Sequence, residues 1–124
     1  MSLLAKTMDL LLGRTYGAME PAPMEKPPED TPAQLCNLCR QQLERSVQFG
    51  LARVIQYEAI HKALAWCKRI GTVEMDEPAI HFQVLIEDCI RKARDAFVEV
   101  NYTAAGGHID MALDKLDKLQ EALR

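Results

Sequence analysis

Aromatic residues are scarce in this chain, with one Trp, three Tyr and three Phe among 124 residues. A core of that composition is built from Leu, Ile, Val, Ala and Met, as in helical bundles. No apolar run approaches the roughly 20 residues that cross a bilayer, so no membrane contact is expected. A Gly-rich phosphate loop, a G-x-S-x-G elbow and a Walker pattern are all missing, so the signatures of nucleotide and serine-hydrolase chemistry are absent. Net charge is only −3, too small and of the wrong sign for a bulk electrostatic grip on nucleic acid. Lys6 and Asp9 interrupt the first apolar run and no small-residue cleavage site follows, so no secretory leader is expected. The four cysteines therefore imply a reducing, cytoplasmic setting rather than a disulfide framework.

What the chain does have is a long helical pattern over 31–70. Thr31-Pro32-Ala33-Gln34 fits a capping box, with Pro32 where no N–H is needed. Glu29 and Asp30 precede the start, Lys68 and Arg69 fall in the last turn, and Gly71 follows as a stop. Read as one helix, these residues would span about 60 Å. The stretch is also basic. Six cations, Arg40, Arg45, Arg53, Lys62, Lys68 and Arg69, stand against Glu44 and Glu58, a local balance of +4 that leaves −7 elsewhere. Pairing of this basic helix with acidic neighbours in the fold is favoured over a nucleic-acid face.

Three units are expected along the chain: 1–16, 17–30 and 31–124. In the first, Leu3, Leu4, Met8, Leu11 and Leu12 follow helical spacing and make one apolar stripe. A helix this short is marginal alone, so the stripe must dock. The second, GAMEPAPMEKPPED, is rich in proline and acid and reads as an extended linker. In the third, the break at 71–77 is short enough to return the chain antiparallel. A second periodic stretch then runs from Pro78 through Ile86, Ile90 and Phe97 to about Asn101, and resumes from Ile109 to Leu123. Between them 101–107 is expected to kink or break briefly, because Gly106-Gly107 weakens a helix there. The fold class is all-α: a long antiparallel hairpin, 31–70 against 78–123, with an amphipathic helix before it. One such seam is too little core by itself, so two copies are expected to pair as a dimeric bundle.

Two constellations could carry chemistry. Cys36-Asn37-Leu38-Cys39 is a C-x-x-C without a preceding strand and without a second pair. A single hairpin would bring His108 opposite it and complete three ligands. Glu58-Ala-Ile-His61 is one copy of the Glu-x-x-His pattern that di-iron carboxylate bundles carry twice. Counting Val47, Leu51, Val54, Glu58, His61 and Ala65 turns that pair inward, with Glu87 or Asp88 nearby. The plainer readings are core cysteines and a His–Glu pair that fixes register. No enzyme activity and no cofactor are expected on this basis.

The leading expectation is a regulatory or adaptor protein that binds a larger protein partner through helical surfaces and alters its activity or assembly. Leu4, Met8, Leu11 and Leu12 on the arm, and Tyr57, Trp66, Arg53 and Lys62 on the bundle, are the candidate partner-binding residues. A metal-binding bundle is the alternative, and a nucleic-acid-binding protein using the six cations is the second alternative.

Overall fold

The capping box at Thr31 forms as its residue types require. In this computed structural model, which describes residues 31–124, Thr31 Oγ1 accepts from Gln34 N at 3.2 Å and Gln34 Oε1 accepts from Thr31 N at 3.1 Å. Pro32 opens helix α1, Pro32–Ser46. Helices α2 (Arg53–Ile70), α3 (Glu77–Val98) and α4 (Tyr102–Ala122) follow. The expected arm and linker, with Leu4, Met8, Leu11 and Leu12, lie outside the described residues.

The single helix over 31–70 is not what forms. The chain leaves the helical path at Val47 and turns through Gly50, whose φ of 91° is open to glycine at no steric cost. It re-enters a helix at Arg53, and the buried amide of Gln56 holds the bend by donating to Gln48 O at 3.0 Å. A continuous helix would have left the stripe Leu35, Cys36, Cys39 and Leu43 to find cover elsewhere. Folding back lays it against Ile60, Ala63, Leu64 and Cys67 of α2.

The second leg is also two helices, and the break falls at 99–101, at the front edge of the 101–107 stretch rather than at its glycines. Val100 N donates to Phe97 O at 3.0 Å and Asn101 N to Ala96 O at 2.9 Å, the paired bonds of a Schellman stop. Asn101 then caps α4 by accepting from Ala104 N at 3.2 Å. Gly106 and Gly107 lie inside α4, where an added Cβ would meet nothing within 4 Å at either position. A residue that stops one helix and caps the next wins over two glycines that merely weaken a helix.

The four helices stand in a square. Each packs on its chain neighbours, and α4 closes the ring against α1. There Arg40 binds Asp117 and Gln120, and Gln120 Nε2 donates to Asn37 Oδ1 at 3.2 Å. Leu35, Leu43, Ile60, Ile70, Ile86, Ile90, Ile109, Leu116 and Leu119 fill the centre, all essentially without solvent exposure. Four helices in one chain thus supply the core that one hairpin lacked. No described helix is long and apolar enough to cross a membrane.

Val100 occupies the left-handed position of the Schellman stop at φ 62°, where a β-branched side chain is strained. Val100→Gly should therefore raise stability by about 1 kcal/mol, part of a strain of roughly 1–3 kcal/mol. Gly107→Ala, at an open helical site, should add about 0.5–1 kcal/mol. Urea unfolding of each variant measures both.

Candidate functional site

Helical spacing puts Cys36 and Cys39 one turn apart on α1, both facing inward toward Cys67 of α2. All three are free thiols with no exposed surface. Cys39 Sγ donates to Ala63 O at 3.5 Å and Cys67 Sγ to Gln83 O at 3.7 Å. Burial pushes the Cys36 thiol up to about 11 and that of Cys67 to about 12, with Glu87 adding to the latter. Cys39 is raised further, by burial first and by its two cysteine neighbours next. These sulfurs stay protonated, whereas nucleophilic or metal-binding sulfur is thiolate.

His108 does not approach them. The contacts of Asn37 and Arg40 with Gln120 and Asp117 place the start of α1 opposite the end of α4. His108 lies twelve residues before Gln120, about 18 Å away along the helix. Its Nδ1 is buried without a hydrogen-bond partner. The expected three-ligand set fails because the extra bends shift the pairing of the two legs.

Glu58 and His61 point the other way from the expectation. Both are exposed, as are Val47, Val54 and Ala65 of the same count. The inward face of α2 is Gln56, Ala59, Ile60, Ala63, Leu64 and Cys67. His61 meets the edge of the Tyr57 ring at 4.5 Å, while Glu87 pairs with Arg91 and Asp88 with Lys92 one turn on. Among the described residues, no group of three or more His, Cys, Asp or Glu side chains is arranged to hold a metal ion.

The structure instead assembles a site at the end of the bundle where 47–52 and 99–101 meet. Tyr57 stacks on Phe97 at 5.6 Å, Phe97 meets Tyr102 edge-on at 4.9 Å, and the Arg53 guanidinium lies 3.7 Å over Tyr102. These side chains, with Val54, Val98 and Val100, line an open groove of about 390 Å³. Beneath it a smaller cavity of about 200 Å³ runs between Ser46, Gln56, Ile60, Ala105 and Ile109, and shares Arg53, Phe97 and Tyr102 with the groove. The cavity's polar walls are already bonded: Ser46 Oγ donates to Leu43 O, and Gln56 accepts from Arg53 while donating to Gln48 O.

The groove rim is apolar and open to water. Val54 is 72% exposed, Val98 61%, Val100 65%, and Phe49 in the neighbouring loop fully exposed. Of the expected partner-binding residues, Tyr57 and Arg53 belong to this site. Lys62 lies further along α2 on its exposed face, and Trp66 packs half-buried against the core. Sequence reasoning missed Phe49, Val54, Val98, Val100 and Tyr102. The signal for them was Gly50 and Asn101, which mark where two helices end and so where apolar residues cease to be core.

The buried thiols generate a pH prediction. Their native pKa values lie above the ordinary 9.0, so stability is complete below that pH. It should fall as pH rises from about 9 through 11 and 12, by up to roughly 1.4 kcal/mol per pH unit per thiol, because the unfolded chain ionises first. Urea titrations across this range measure the loss, and Cys36, Cys39 and Cys67 should react with a thiol reagent only after unfolding. Comparison of the chain with family models, with curated proteins and with solved structures finds no match in any of the three.

Proposed function

We propose that the chain is a non-enzymatic regulatory or adaptor protein that binds another protein at the aromatic groove between α2 and the α3–α4 turn. The observation that carries this reading is an open, shallow apolar site in which Tyr57, Phe97 and Tyr102 are fixed against one another and Arg53 is fixed on Tyr102. Prepacked aromatic and arginine side chains lose little freedom on binding, which is why such residues dominate binding energy at protein interfaces. Val54, Val98 and Val100 extend the apolar surface on both sides. Modulation of the partner follows from occupancy, since the groove contributes contact area and no reacting group.

Val100 supports the same reading. A residue held at φ 62° at a helix stop costs stability that glycine would not, and its side chain stands on the groove rim. Strain retained at a surface position is consistent with use of that position.

Val54 and Val98 are exposed, so Val54→Asp and Val98→Asp should leave the fold intact while placing a charge in the groove. A protein isolated from the native host on the full chain should bind each variant at least about tenfold more weakly, about 1.4 kcal/mol. It should bind Ile80→Asp, on the exposed side of α3 near the opposite end, as the parent chain does. Equal binding of that protein to all three variants would overturn the assignment.

A further inference from the structure

We propose that the chain's own 2–15 stretch occupies this groove, folded back within the same molecule, so that a partner must displace it. The inference rests on reading the groove as a docking surface but not on the identity of any partner. Leu4, Met8, Leu11 and Leu12 recur at helical spacing, so a helix over this stretch presents one apolar stripe of the width that a groove accepts. The cavity beneath the groove, walled by Ile60, Phe97, Ala105 and Ile109, takes one side chain of leucine or methionine size as an anchor.

The tether has the right length. Residue 31 lies beside the end of α2, because α1 and α2 run antiparallel with Cys39 against Ala63. From there to Arg53 is the length of α2, 18 residues or about 27 Å. The 14 residues of 17–30 reach about 43 Å when extended in polyproline form, so they span the helix with slack. The exposed pair Ile80 and Val84 on α3 is nearer, but it is a ridge of two residues rather than a groove with a cavity under it.

Charge agrees with the route. The tether carries Glu20, Glu25, Glu29 and Asp30 against Lys26. The helix it must follow, α2, carries Arg53, Lys62, Lys68 and Arg69 against Glu58, with Lys62 and Lys68 exposed. An acidic strand laid along a basic helix is held by attraction that salt weakens. The tether also sets the strength needed. A link of this length gives an effective concentration on the order of 1 mM, so an arm whose isolated affinity is only about 100 μM would still fill the groove about nine-tenths of the time. A competing partner would then bind roughly tenfold more weakly than to the open groove.

Backbone amide NMR of the full chain tests this, comparing the parent with the double variant Leu4→Asp, Leu11→Asp at low and at high protein concentration. The expected result is that the resonances of Val54, Phe97, Val98 and Val100 shift in the variant by the same amount at both concentrations, while Leu43, Ile90 and Leu116 do not move. The reverse variant, Val54→Asp, should shift the resonances of Leu4 and Leu11. Groove resonances that ignore the arm variant would overturn the proposal, as would shifts confined to Ile80 and Val84. Shifts that grow with concentration would overturn it in favour of a second copy's arm. Loss of partner binding is read from retention of a host protein, and the arm effect from amide shifts in the Leu4→Asp, Leu11→Asp variant, so the two proposals fail separately.

Discussion

The two turns at one end of the bundle are held together through one buried side-chain amide. Gln56 donates to the Gln48 carbonyl and so ties the α1–α2 bend to α2. Its oxygen accepts from Arg53 at 3.1 Å, which leaves the guanidinium lying on Tyr102 of α4. Tyr102 meets Phe97, and Phe97 stacks on Tyr57, returning the sequence of contacts to α2. The bend, the cap of α4 and the groove are therefore one connected arrangement. Loss of the Gln56 amide would leave the Gln48 carbonyl without its donor, a cost of about 0.5–1.5 kcal/mol, and would free Arg53 from its place.

A second buried glutamine does the same at the opposite end. Gln83 donates to Cys67 O at 2.9 Å and to Glu87 Oε1 at 3.2 Å. It lies so close to the α2–α3 turn that a Cβ on Gly71 would stand 2.8 Å from its Nε2. The glycine that ends α2 thus makes room for the Gln83 amide rather than serving a backbone angle, since its φ is an ordinary −64°. Each reversal beside α2 is secured by an amide that reaches the main chain, and the space between is filled by aliphatic side chains and unionised thiols.

The features legible in the sequence were those with a local cause. The capping box at Thr31, the stop after Ile70, the start near Pro78 and the stripe Ile109, Ala112, Leu116, Leu119 are all present. The bend at Gly50 was not legible, because a six-residue interruption left the apolar spacing on either side continuous enough to read as one helix. That error propagated by geometry. One helix pairs residue 36 with the region of His108, whereas two helices pair it with the region of Gln120, and Glu58 and His61 change from inside to outside. The strain at Val100 and the ring stack were beyond a pattern of spacings, since each depends on where three separate segments converge.

The seam between α1 and α4 has a consequence for the order of assembly. The hairpins α1–α2 and α3–α4 close over short loops, but Asn37 and Gln120 are 83 residues apart, and joining them costs the most chain entropy in the bundle. Their contacts are polar and partly exposed, so they return less per residue than the buried stripes do. Local hairpins forming first and this seam last is the route that topology favours. The same edge is then expected to part before the other helix seams when the folded molecule fluctuates.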